Sequence, residues 1–249
     1  MSCKTSIKTI GILGFGGFGR LIARHLHPHF SLFVCDPALS PDCTLPPNTC
    51  AGTVADIGHC DLVILAVPLS QLATAISELN PHLRPGSIVA DVVSVKMEPV
   101  RIMEEMLPEF VDIIGTHPLF GPQSTHDGLV GKKISICEIR GRSAARVAAF
   151  LRSALGLKVY MTTPLDHDRE AAMVQGVTHL IAKVLVQMEP LPKRMTTVSF
   201  DRLMQAIGMV RDDPETVFKA IECSNPFSRE TRQRFFEIAE QVRSEMEAT

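Results

Sequence analysis

The sequence is short of several features that would direct it to a specialised class. It has no apolar run of about 18 residues, so no membrane-spanning helix is expected. Met1 to Lys8 lacks the apolar core of a secretory leader, which makes a cytoplasmic location the expectation. No Cys-x-x-Cys pair occurs among the seven cysteines (Cys3, Cys35, Cys43, Cys50, Cys60, Cys137 and Cys223). Their odd number argues against a disulfide framework and their spacing against a zinc site, so reduced, mostly buried thiols and no metal are expected. A formal net charge of −2 supplies no basic excess to hold nucleic acid. Internal repeats and low-complexity segments are also missing, which excludes solenoids and biased linkers. What remains is a chain of 249 residues, 45% hydrophobic and 21% charged, long enough for one large domain or two modest ones around a real core.

The most informative stretch is Ile10 to Arg20, Ile-Gly-Ile-Leu-Gly-Phe-Gly-Gly-Phe-Gly-Arg. Thr9 to Leu13 is a short apolar run. Phe18, Leu21, Ile22 and Leu26 then recur at helical spacing until Pro28. Between them Gly14, Gly16 and Gly19 fall on the G-x-G-x-x-G spacing, which supplies a tight turn, close backbone approach to a pyrophosphate, and close strand-helix packing. Backbone amides at the helix start make an anion site, with Gly14, Phe15, Gly16, Gly17, Phe18 and Gly19 as its wall. The alternative is plain turn chemistry.

Leu32 to Cys35 ends at Asp36, about 20 residues on from Gly14, where an acid receives the ribose 2′-hydroxyl of NAD. Pro37 and Ala38 supply no arginine for a 2′-phosphate, so NAD is predicted over NADP; the alternative role of Asp36 is an Asp-Pro turn. Ser40 to Thr53, rich in proline and cysteine, reads as a loop. Asp61 to Pro68 holds an unbroken apolar run of the kind buried on both faces of a parallel sheet. Ser70 is expected to cap the next helix, with Leu72, Ile76 and Leu79 inward, until Asn80-Pro81. Ile88 to Val92 gives another buried strand. Ligands of such sheets sit beyond the carboxyl ends of the strands, so Val67 and Pro68 and the segment Asp91 to Lys96 are expected to wall the nicotinamide side.

Two polar stretches carry candidate chemistry: Asp91-Val-Val-Ser-Val-Lys96 and Thr116-His-Pro-Leu-Phe-Gly-Pro122. The second follows the apolar run Val111 to Ile114 and puts His117 at a strand's carboxyl end, in a turn set by Pro118, Gly121 and Pro122. Imidazole suits proton transfer near neutral pH. Ser94 can hydrogen-bond to it or to a substrate hydroxyl. A structural turn histidine is the alternative, and His25, His27 and His29 receive no role.

A last strand is expected at Leu157 to Met161. Pro164 opens a long helical pattern through Met188, and further ones cover Phe200 to Met209, Pro214 to Cys223 and Arg229 to Glu247. The reading is a Rossmann-type doubly wound parallel sheet over residues 1–163, followed by a small all-helical domain over 164–249. Gln175 and His179 are four apart and share a helix face with Asp168 and Ala172, a stripe that could instead be solvated or an interface.

Together these segments resemble the prephenate/arogenate dehydrogenase family of tyrosine biosynthesis. The resemblance rests on the glycine turn, Asp91 to Lys96, His117 to Pro122, and His167-Asp168 followed by Gln175 and His179, in that order. It implies oxidative decarboxylation of prephenate or arogenate with hydride transfer to NAD⁺. His117 is then the base, Ser94 its or the substrate's orienter, and Gln175 and His179 substrate contacts. It also implies a homodimer formed through the helical domain, with no nucleic-acid or membrane partner. The sequence departs from the family at Gly208, where prephenate users carry a carboxylate-gripping arginine. Arg211, three residues on, is a candidate replacement if the helix continues, and Asp213 matches an acid that could meet the ammonium of arogenate, although prephenate users can carry an acid there too. The rival readings are another NAD(P)-dependent enzyme of the β-hydroxyacid dehydrogenase or imine reductase type, and a non-catalytic NAD-binding sensor.

Overall fold

A computed structural model describes residues 7–248. Cys3 and most of Met1 to Lys8, on which the leader expectation turns, lie outside the described residues. The chain divides into two compact units, Met1–Pro164 and Leu165–Thr249.

The first unit is a sheet of eight strands: β1 (Thr9–Leu13), β2 (Ser31–Cys35), β3 (Thr49–Ala51), β4 (Leu62–Leu65), β5 (Ile88–Asp91), β6 (Asp112–Pro118), β7 (Lys133–Arg140) and β8 (Lys158–Met161). They lie in the order β3-β2-β1-β4-β5-β6-β7-β8. Neighbours from β3 to β6 run parallel, β7 is antiparallel to β6, and β8 is parallel to β7. Strand side chains alternate between faces, and here both faces are apolar. Ile10, Ile12, Val34, Ile64 and Ala90 pack under α1 (Gly17–Leu26) and α5 (Ala144–Ser153). Leu13, Val63, Leu65, Val89 and Ile113 pack under α2 (Val54–Gly58), α3 (Leu69–Leu79) and α4 (Met97–Met106). Leu72, Ile76 and Leu79 are fully buried, as their spacing predicts.

Several expectations need correction. The doubly wound sheet is present and mostly parallel, but β7 reverses direction, a reversal the sequence does not announce: β7 and α5 carry no clear periodic signal, and Lys133 and Arg140 mask the strand's apolar centre. Ser40 to Thr53 is not all loop, since Thr49–Ala51 forms the edge strand, too short to show a period. Ser70 does not cap α3: it lies inside the helix, and Pro68 holds the cap position with no side-chain bond. The thiols are not mostly buried either. The six described cysteines are free, but only Cys60 and Cys137 are buried, while Cys50 and Cys223 are exposed.

The second unit is helical. α6 (Pro164–Ala171) runs through a π-turn, Ala172–Gly176, into α7 (Val177–Gln187), followed by α8 (Val198–Gly208), α9 (Glu215–Lys219) with a second π-turn, Ala220–Ser224, and α10 (Ser228–Glu247). The π-turns interrupt patterns that read as continuous α-helix. They meet at Gly176, where a Cβ would stand 3.3 Å from Glu222 Oε1. Among the described residues no helix is long and apolar enough to cross a membrane, and no three His, Cys, Asp or Glu side chains converge as metal ligands.

Candidate functional site

The site begins at the carboxyl end of β1, where the backbone itself is shaped. Gly14 takes φ +97, a conformation that side chains disfavour. A Cβ there would lie 2.4 Å from the carbonyl oxygen of Ala66, and one on Gly19 would lie 2.2 Å from the carbonyl oxygen of Gly14. These two glycines close the turn and press α1 onto the sheet. At Gly16 a Cβ would meet nothing within 4 Å. Gly16 is also the N-cap of α1 and has no side chain to satisfy the amides behind it. The open side of the turn is therefore an anion cradle of backbone N–H groups. Val67 walls it from β4, with Cγ1 3.1 Å from the Cβ position of Gly14. Pro68 follows; Val67 is half-buried and Pro68 is exposed.

Asp36 stands at the end of β2. Its Oδ2 accepts the amide of Phe15 at 2.6 Å, and its Oδ1 accepts that of Ala38 at 2.7 Å. One oxygen thus makes the local turn, and the other fixes the carboxylate beside the glycine turn.

At the ends of β5 and β6 the organising feature is a buried ion pair. Asp91 and Lys96 are fully buried and paired with each other. The carboxylate also accepts the amides of Val93 at 2.9 Å and Thr116 at 3.3 Å, and the Thr116 hydroxyl donates to the Asp91 carbonyl. Burial pushes the Asp91 carboxyl up, while the Lys96 ammonium pulls it down. This network ties the half-buried loop that carries Ser94 to the residue preceding His117.

His117 is 3% exposed. It does not sit in a turn. β6 continues through Pro118 because β7 pairs with it, setting His117 opposite Ser135, whose hydroxyl donates to the His117 carbonyl at 3.4 Å. The turn comes later, at Pro122–Ser124. That turn packs on the start of α1: a Cβ on Gly17 would touch Pro122 at 3.7 Å, and the rings of Phe18 and Phe120 are 6.3 Å apart. The His117 segment and the glycine turn are therefore neighbours. The Asp91–Lys96 pairing was not read from the sequence; its signal is two opposite charges flanking the end of a strand with no other exposed outlet.

In the helical unit, His179 is brought together with Asp213. Its Nδ1 lies 2.9 Å from the Gln175 carbonyl, so it donates there, and Nε2 lies 3.2 Å from Asp213 Oδ2. Gln175 is half-buried on the same stripe, its Oε1 buried with no partner among the described residues. His167 and Asp168 pair at 2.8 Å, and Asn225 donates to the Asp168 carbonyl at 2.7 Å. Arg211 is engaged elsewhere in this structure. α8 ends at Gly208, so Arg211 lies beyond the helix, and its guanidinium engages Glu189 bidentately at 2.5 and 2.7 Å.

A doubly wound sheet with a glycine-lined anion cradle at the carboxyl end of its first strand defines a nucleotide-binding protein of the Rossmann type. A family model for the prephenate dehydrogenase nucleotide-binding domain matches residues 46–189, more than half of the chain, beginning downstream of the glycine turn. The chain belongs to the prephenate dehydrogenase family. It is 30% identical over 193 residues to a Methanocaldococcus jannaschii protein described as a probable arogenate/prephenate dehydrogenase, a match covering 73% of this chain and 43% of that protein. It is 27% identical to arogenate dehydrogenase 2, chloroplastic, of Arabidopsis thaliana, covering 98% of this chain and 71% of that one. The chain thus spans under half the length of the archaeal relative. In fold it is similar to the crystal structure of prephenate dehydrogenase from A. aeolicus in complex with hydroxyphenyl propionate and NAD⁺, with a TM-score of 0.73 at 18% identity, covering 97% of this chain and 91% of that one.

Proposed function

We propose that this protein oxidatively decarboxylates prephenate or arogenate with transfer of hydride to NAD⁺. The observation that carries the reading is His117, an imidazole buried at the carboxyl end of β6 and held beside the glycine turn by the Asp91–Lys96 network. The residues present fit the dinucleotide: Gly16 leaves open space where a pyrophosphate would approach, α1 offers uncapped amides, and Asp36 is oriented by Phe15 toward a ribose. When bound, NAD⁺ supplies the hydride acceptor.

The substrate is a cyclohexadiene whose ring hydroxyl lies opposite a quaternary carbon bearing a carboxylate. As hydride leaves the hydroxyl carbon, that oxygen must lose its proton. Neutral His117, within about 3 Å of it, accepts this proton, and Ser94 orients the hydroxyl or the imidazole. Loss of CO₂ then makes the ring aromatic. Gln175, His179 and Asp213 serve as polar substrate contacts, and the Asp213 carboxylate favours an ammonium. Pairing with Glu189 leaves Arg211 outside this set. NADH appearance, followed by absorbance with prephenate or arogenate and with NAD⁺ or NADP⁺, tests the reading. Silence in all four combinations, with nucleotide binding still present, would convert it into that of a sensor.

The same reading makes the chain a homodimer through its helical unit. Ile238, Val242 and Met246 fall on one face of α10 and are 50%, 48% and 75% exposed, an apolar stripe a second copy would cover. Sedimentation over a range of concentrations should show a dimer; a monomer throughout removes this part.

A further inference from the structure

Pro37 and Ala38, which follow Asp36, offer no arginine to a 2′-phosphate. The structure places a guanidinium near that corner from another element. Arg20 closes the first turn of α1, bonded through its amide to the Gly16 carbonyl, and its side chain is exposed. The guanidinium carbon stands 5.0 Å over the ring of Phe15, and Nη1 donates to Cys43 Sγ at 3.1 Å. Phe15 is also the residue whose amide holds Asp36 Oδ2. One residue of the glycine turn thus has a carboxylate at its backbone and a cation on its ring. Cys43 belongs to the segment that follows β2, so Arg20 bridges the two walls between which an adenosine ribose must lie.

The chemistry of this corner is unlike that of a site closed to phosphate. A thiol is a weak acceptor and uses one of the guanidinium's five N–H donors. Among the described residues no carboxylate forms an ion pair with Arg20. The guanidinium rests over the aromatic ring, and its planar fork suits a phosphate better than a mobile ammonium does. Asp36 accepts a ribose hydroxyl and repels a 2′-phosphate, while Arg20 attracts that phosphate from the other side of Phe15.

Resting on the dinucleotide reading above, we propose that Arg20 is a specificity-determining residue that gives 2′-phosphorylated nucleotides a foothold, so that the protein discriminates against them by less than about tenfold.

Calorimetric titration with the two adenosine halves, 5′-AMP and 2′,5′-ADP, tests this without reference to turnover. The wild-type chain should bind both, with affinities within about tenfold. Arg20→Ala should weaken 2′,5′-ADP by about tenfold or more and leave 5′-AMP within about twofold, while Arg20→Lys should recover part of the loss. Equal binding of 2′,5′-ADP to wild type and Arg20→Ala overturns the proposal, as does a wild-type chain that binds 5′-AMP but not 2′,5′-ADP. If neither half binds, the dinucleotide reading itself falls and takes the proposal with it. Arg20 is exposed on a helix, so Arg20→Ala should fold, and an unchanged thermal transition is the control.

Discussion

The two units hold their polar groups by different means. In the sheet unit, positions are set by the backbone and by strand ends: Gly14 and Gly19 admit no side chain, Asp36 is held by two amides, and Asp91 by two amides and a buried ammonium. In the helical unit, side chains hold one another: His179 with Asp213, Arg211 with Glu189, and Glu222 with Arg232. Backbone-held groups cannot move without the fold moving. Side-chain pairs can be rearranged by rotamer changes without the backbone moving.

That contrast can be broken at five points. His117→Asn should produce the largest change in activity, lowering kcat by on the order of 10² to 10⁴ if the imidazole is the base, with little change in nucleotide affinity; an unchanged kcat removes it from the mechanism. Lys96→Met leaves a buried carboxylate without its ammonium and should cost about 3–5 kcal/mol in urea unfolding. Adding Asp91→Leu should recover much of that loss, and an additive double variant would mean the pair is not coupled. Gly19→Ala drives a methyl into the Gly14 carbonyl and should destabilise by about 1–3 kcal/mol or more, with loss of nucleotide binding. Arg211→Ala, by contrast, should change kcat/KM by less than about threefold, because the group serves an exposed ion pair. A tenfold loss would show that Arg211 leaves Glu189 to work on substrate. The smallest effect concerns thiols. Burial pushes Cys60 up to about 11, so at neutral pH it is a protonated thiol and gains reactivity only as pH nears that value. Exposed Cys50 and Cys223 should be alkylated first, and early modification of Cys60 in the folded protein would contradict its burial.

Legibility in the sequence followed the same division. The strand-glycine-helix order and the buried runs at Leu62–Leu65 and Ile88–Asp91 declared themselves, because burial on both faces leaves a continuous apolar signature. β7 escaped because its charged ends blur its apolar centre, and β3 because three edge residues show no period. His117 was expected in a turn but lies within β6, since strand pairing with a distant partner extends that strand. For Arg211, the helical spacing counted from Gly208 runs past the last residue of α8, and the guanidinium is engaged by Glu189. The Asp91–Lys96 pair and the position of Arg20 depend on three-dimensional proximity that no periodicity encodes.

The reversal at β7 also shapes the electric field of the sheet unit. α1, α3 and α4 each follow a parallel strand, so their amino ends gather at the carboxyl edge of β1, β4 and β5. Each such terminus acts as roughly half a positive charge. α5 follows the reversed strand and runs the other way, bringing its negative end to that edge beside β7 and β8. The edge is therefore graded along the strand order, attractive to anions above β1 and progressively less so toward β8. An incoming dinucleotide would be drawn phosphates first to the glycine turn, an approach that added salt should slow more than it weakens the final complex.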